Sequence, residues 1–134
     1  MAPDAAAPQD VPDWVVDLYA LVDAGEVDRY LDEYYADDAE LRFASGPTVR
    51  GKTAIREALG HGHDAHDMRH TFRNVWQAGE TTIVEFDVSY TFRDGNVLDT
   101  HSLAILERRG DRVRALRVYL DHGPVLAMIE AAAS

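Results

Sequence analysis

The sequence predicts an α+β fold in which helices come first and an antiparallel sheet follows. Three observations carry this reading. Up to Leu59 the apolar residues fall mostly at spacings of three and four, as on one face of a helix. From Met68 onward they alternate with polar residues, the period of a half-buried strand. The breaks between the later strands are short, and short turns join antiparallel neighbours, whereas parallel neighbours need a long crossover. Helices gathered at one end of the chain and strands at the other give helices packed on one face of a curved sheet.

The elements follow in order. Residues 1–10 are Ala, Pro and Asp with few others and read as a disordered tail; residues 11–134 read as one domain. Pro12 suits the first position of a helix, where its missing N–H costs nothing. Trp14, Val15, Leu18, Leu21 and Val22 then form one stripe, which Gly25 stops. Val27, Tyr30, Leu31 and Tyr34 form a second stripe, which Asp37-Asp38 break. Ala39 to Ala44 is a short strand with Leu41 and Phe43 on one face. Ser45-Gly46-Pro47 turns the chain, Thr53 to Leu59 is a third helix, and residues 60–67, GHGHDAHD, read as a polar loop. Four strands follow at 68–76, 83–92, 97–107 and 112–120. The second of these is the clearest, with Val84, Phe86, Val88, Tyr90 and Phe92 alternating against Glu85, Asp87, Ser89 and Thr91. Arg93-Asp94-Gly95-Asn96 is a hairpin turn.

Composition narrows the function. A chain of 134 residues supports one core without staples. With no cysteine there is no disulfide, thiolate metal site or thiol nucleophile. Twenty-four acids against 13 bases, a net charge of -11, argue against a nucleic-acid partner, which requires a basic face. No apolar run approaches the roughly 20 residues of a membrane span. Neither a secretory n-region nor an h-region opens the chain. A soluble cytoplasmic protein is expected, with no membrane or nucleic-acid partner. No P-loop, G-x-G-x-x-G or G-x-S-x-G motif is present, which leaves nucleotide binding and serine hydrolysis without support.

The predicted inner face carries polar groups. The heavier apolar phase of strand 68–76 includes His70 and Asn74 beside Phe72 and Trp76. That of 83–92 includes Tyr90 beside Phe86. That of 97–107 runs Asp99, His101, Leu103 and Ile105, and that of 112–120 runs Leu116, Val118 and Leu120. Burying so many polar groups is costly unless they are paired. An aromatic cavity with a few convergent polar groups is the usual form of a ligand site, and a histidine there titrates near neutrality and can serve as acid or base. Tyr19 and Tyr34 are placed to point hydroxyls into such a cavity. His61, His63 and His66 fall in the polar loop, read as solvated or as a lid beside the pocket mouth, and no metal site is expected from them.

Tyr35–Leu59, "YADDAELRFASGPTVRGKTAIREAL", then a His-bearing strand and a closing Arg112–Val125, "RVRALRVYLDHGPV", resemble the nuclear transport factor 2 superfamily, and within it the SnoaL-like domains that include polyketide cyclases. The resemblance spans Asp13 to Val125. It implies a cone-shaped curved sheet wrapped around three N-terminal helices, an internal pocket and a homodimer. The ketosteroid isomerase members place a general-base Asp where this chain has Phe43, an oxyanion donor where it has Leu103 and a Tyr at about Leu18, so that route is lost. The SnoaL-like cyclases imply Asp121, at the end of the last strand, as acid/base with His101 as neighbour, provided a bulge or strand end turns Asp121 inward. The scytalone-dehydratase-like members imply His70 and Asp23, with His101 a looser match to their second His and Val22 and Phe43 in place of their tyrosines.

The resulting expectation is a cofactor-independent acid/base enzyme of cyclase or isomerase type acting on a small apolar carbonyl or polyketide-like compound. A dehydratase is the second expectation, and a non-catalytic hydrophobic-ligand binder or dimerisation module the third.

Overall fold

The computed structural model describes residues 11–133, with only the backbone described at positions 61 and 62. The tail expected at residues 1–10 therefore lies outside the described residues.

Helix α1 spans Asp13–Asp23 and buries Val15, Leu18 and Tyr19. It ends abruptly because Gly25 takes a left-handed φ of 75° while its N–H, and that of Glu26, close back on the carbonyls of Val22 and Leu21. Near its start, the Arg108 guanidinium lies 4.3 Å from the Trp14 ring centroid and ties the helix to the sheet. Helix α2, Val27–Tyr34, buries Tyr30 and Leu31.

Strand β1, Tyr35–Phe43, begins before the acidic pair that was expected to separate the second helix from a strand starting at Ala39. Asp37 and Asp38 are exposed and paired with Lys52 and Arg109, and they fall where β1 loses register with its neighbour. A short β2, Thr48–Arg50, precedes α3, Lys52–Ala65, which continues through the segment read as a loop. Then come β3, His66–Ala78, β4, Thr81–Phe92, β5, Val97–Arg109, and β6, Arg112–Tyr119. A fourth helix, α4, Gly123–Ala133, was not foreseen.

The result is an α+β fold with helices packed on a six-stranded, curled and open sheet in the order β2-β1-β6-β5-β4-β3. Neighbours are antiparallel except β1 and β6, which pair in parallel. Among the described residues no helix is long and apolar enough to cross a membrane.

The faces of β3 and β5 position the site. The β4–β5 turn holds three residues, with Gly95 at a φ of 88° and Phe92 N–H donating to the Asn96 carbonyl. This is the three-residue hairpin that ends on a left-handed glycine. Tyr90 then stands opposite Leu98, Val88 opposite Thr100, and Phe86 opposite Ser102. Directly opposed residues share a face, so Ser102, Ala104 and Leu106 are buried on the inner side. The expected inner phase of His101 and Leu103 is therefore incorrect. It corresponds to a two-residue Asp94-Gly95 loop, and a slip of one residue turns every side chain over.

In β3 the register with β4 shifts between Phe72 and Asn74. This bulge inserts one residue at Arg73 and reverses the faces beyond it. Asn74 therefore lies on the outer face, donating to Glu85 at 2.6 Å, and Trp76 is 50% exposed. Neither is placed to meet a ligand in the interior.

Candidate functional site

A cavity of about 390 Å³ lies between the helices and the inner face of the sheet, within the range of small-molecule sites. Of the residues expected to meet a ligand, Tyr19, Phe43, Phe86, Tyr90, Val118 and His70 line it. Leu103 does not, for the register reason above. Tyr34 packs half-buried against the core, and Phe72, which is not among the lining residues, packs at a tilt against Phe86 and edge-on to Tyr19.

The sharpest polar feature is the pair Asp23 and His70. Gly25 ends α1 so that Asp23 occupies its last turn, facing β3. One carboxylate oxygen accepts the His70 backbone N–H at 2.9 Å, and the other lies 2.6 Å from His70 Nδ1. A helix C-terminus disfavours an anion, and these two hydrogen bonds offset that cost. A carboxylate only accepts, so Nδ1 carries a proton, and in the neutral ring the lone pair is on Nε2. The imidazole packs against Tyr19 and Phe86, with each ring centroid 4.9 Å away and those two rings 4.6 Å from one another, and its side chain is 10% exposed. Its ring is thus held by a carboxylate and two aromatic rings while it lines the cavity.

Three further histidines line the same cavity, and none was assigned to it from the sequence: His63, His66 and His122. His63 comes from the helical continuation of α3 and shares a 3.0 Å hydrogen bond with the Tyr30 hydroxyl. His122 packs edge-on against Phe43, with centroids 5.0 Å apart. Burial pushes all three below the usual histidine value, His66 to about 4, so they are neutral near pH 7. Burial also pushes Tyr19 and Tyr30 upward and Tyr90 up to about 12, which keeps them phenols. Among the described residues no Asp, Glu, Lys or Arg lines the cavity, and no cluster of three or more His, Cys, Asp or Glu is arranged to hold a metal. The wall can hydrogen-bond, but it offers no permanent charge to a ligand. A signal for His66 existed in the sequence: extending the alternation of His70 and Met68 back by two residues places it inward.

The other expected acid/base pair is not in the cavity. His101 projects from the outer face, its side chain 87% exposed, with Nδ1 2.9 Å from Asp87. Asp87 also accepts from Arg73 Nε at 2.6 Å, and both partners hold its carboxyl below the usual range. Asp121 is exposed beyond the end of β6, and its carboxylate accepts the Gly123 N–H at 3.1 Å, so it organises the entry to α4. No inward bulge carries it into the pocket. His101→Ala is accordingly expected to leave ligand affinity unchanged and to shift stability by no more than about 0.5 kcal/mol, as for most exposed sites. Chemical denaturation and ligand titration check both.

Helices packed into a curled sheet around an interior cavity define the NTF2-like class of folds. The chain belongs to the SnoaL-like domain family, which matches residues 15–116. It is similar in structure to an NTF2-like protein of unknown function from Burkholderia pseudomallei, at 15% identity and a TM-score of 0.77, with 87% of this chain and 95% of that one covered. A candidate polyketide cyclase from Xanthomonas campestris is similar at 18% identity and a TM-score of 0.75, covering 87% and 94%. TerC, co-crystallised with polyporic acid, is similar at 19% identity and a TM-score of 0.70, covering 86% and 97%. Among curated proteins no sequence matches this chain.

Proposed function

We propose that this protein is an acid/base enzyme of cyclase or isomerase type, needing no cofactor, that acts on a small apolar carbonyl compound. The observation that carries the reading is the Asp23–His70 pair, whose His70 ring lines a cavity that no charged side chain among the described residues lines. His70 Nε2 would take a proton from the carbon alpha to the carbonyl, leaving an enolate and an imidazolium that Asp23 stabilises. A neutral donor on the wall, such as the Tyr19 hydroxyl, would steady the enolate oxygen. Returning the proton at another carbon is an isomerisation. Attack of the enolate carbon on a second carbonyl closes a ring, and the new alkoxide takes the proton back. The absence of a wall charge favours substrates whose buried part is uncharged, since an unpaired carboxylate or phosphate is costly to bury. The similar structures that are candidate polyketide cyclases agree with this chemistry.

Dehydration is the second reading. His70 and Asp23 are the residues that the dehydratase-like resemblance singles out, and they meet at 2.6 Å, whereas His101 and Asp121 do not share the cavity. Elimination begins with the same proton transfer and ends in loss of hydroxide as water. Pairing of two copies through the outer sheet face, where Trp76 and Tyr119 are exposed, belongs to the same family reading.

The test is solvent-proton exchange on 2-tetralone in D₂O, followed by NMR. Deuterium should enter the alpha carbon faster with protein than in buffer. If 2-tetralone binds but exchanges no faster than in buffer, the protein is a binder and the enzymatic reading fails.

A further inference from the structure

His63 stands in the last turn of α3, and its side chain lines the cavity together with those of His70, Tyr19 and Tyr30. Two contacts fix it. Arg93, in the turn after β4, donates to the carbonyls of His63 and Asp64 at 3.1 and 3.0 Å, so a cation caps the end of the helix. The ring meets the Tyr30 hydroxyl, which lies 3.0 Å from Nε2. We propose that His63 is a second catalytic residue, whose Nδ1–H donates to the carbonyl oxygen of the substrate and holds the enolate formed when His70 takes the proton.

This rests on the reading of His70 as the base and deepens it by naming the group that receives the substrate's oxygen. The direction of the Tyr30–His63 bond decides the tautomer. Tyr30 is 1% exposed, and among the described residues His63 is the hydrogen-bond partner of its hydroxyl. A buried O–H that donates to nothing carries its full desolvation cost, so the hydroxyl gives its hydrogen to Nε2. Burial keeps the His63 ring neutral near pH 7, with smaller effects from the charges of Asp64, His70 and Asp23. A neutral imidazole that accepts at Nε2 carries its hydrogen on Nδ1. Among the described residues, the enclosed polar side-chain atoms without a partner are His66 Nδ1, Thr100 Oγ1 and Arg108 Nε. His63 is partly exposed and its Nδ1 is not one of them, so that atom opens on free space, and the space that His63 lines is the cavity.

The two histidines are therefore opposite in kind. His70, with Asp23 on Nδ1, presents a lone pair; His63, with Tyr30 on Nε2, presents an N–H. Enolisation needs both, a base at the carbon and a donor at the oxygen. As the C–H bond breaks, its proton goes to His70 Nε2 and its electron pair becomes the C=C bond. The former C=O pair moves onto the oxygen, which His63 holds without giving up its own proton. A neutral imidazole kept below its ordinary pKa is a known way to polarise a carbonyl.

The experiment compares wild type, His63→Leu and His63→Asn. Each is titrated by NMR with 2-tetralone and with tetralin, the same ring system with CH₂ in place of the carbonyl, and each is assayed for deuterium exchange on 2-tetralone. A ketone oxygen only accepts, so the ratio of the two affinities reports a donor on the wall. His63→Leu should weaken 2-tetralone by about tenfold relative to tetralin, the value of one hydrogen bond. It should slow exchange by about 10²–10³-fold, the loss of one oxyanion donor. His63→Asn, whose amide NH₂ stands near the place of Nδ1, should keep the wild-type ratio and most of the rate. An unchanged ratio in His63→Leu overturns the assignment, as does His63→Asn falling as far as His63→Leu. So does a drop in both melting temperatures with the ratio unmoved, which would mark His63 as a structural group. Exchange lost in His70→Ala but kept in His63→Leu sinks the His63 assignment alone. No exchange in the wild type sinks the enzymatic reading, and the affinity ratio then decides the donor by itself.

Discussion

Asp23→Asn is expected to slow deuterium exchange on 2-tetralone by roughly 10²–10⁴-fold, the usual contribution of a positioned general base. The side chain keeps its shape, and an amide oxygen can still accept the His70 N–H. What changes is the partner of Nδ1. The carboxylate requires a proton there. An amide NH₂ at the same position donates instead, so the proton moves to Nε2 and the ring loses its lone pair toward the cavity. His70→Ala should match this loss. Binding of 2-tetralone should change far less, because the apolar wall is untouched. If Asp23→Asn exchanges at the wild-type rate while His70→Ala does not, the tautomer argument is wrong. If both variants lose only melting temperature, the pair is structural.

The second large effect is on stability in acid. His66 is held neutral in the fold down to about pH 4, against an ordinary value near 6.5, because burial penalises its charged form. Between those values the unfolded chain binds the extra proton and the fold does not, so stability rises with pH. The stability is fully present above about pH 6.5 and is lost as the pH falls toward 4. The difference corresponds to roughly 3 kcal/mol from His66. His63 and His122 act in the same direction, and the nearby positive charge of Arg93 also opposes protonation of His66. The carboxylates of Asp38, Asp87 and Glu107 are depressed by their arginine and histidine partners, so their contribution is lost only at lower pH. Urea unfolding at pH 7, 5.5 and 4.5 should show a steep acid limb in the wild type and a flatter one in His66→Phe. Equal slopes would place His66 in contact with water.

Much of the fold was legible because hydrophobic period is a local property. The stripe of Trp14, Val15 and Leu18 and the alternation of Val84, Phe86 and Val88 each require one secondary structure, whatever their neighbours are. Asp23 and His70 were also within reach, the second on the heavier phase of its strand and the first through the resemblance to the dehydratase-like members. The closing helix α4 and the extension of α3 through Gly60 were missed. In α3 two glycines and two histidines outweighed helical spacing. In α4 the apolar and alanine-rich composition offers little amphipathic contrast.

Strand β5 marks the boundary between the two kinds of information. Leu103 and Ile105 on one phase nearly balance Ala104 and Leu106 on the other, so composition does not choose a face. A three-residue rather than two-residue turn at Arg93–Gly95 made the choice, and it sent His101 to solvent. The bulge at Arg73 did the same to Asn74 and Trp76. By itself the sequence determined that three helices would come ahead of four consecutive long strands and that aromatic and histidine side chains would share the interior. Only the tertiary structure decided which histidines those were. Face depends on register, and register is set by pairing with another strand, an interaction that no single segment contains.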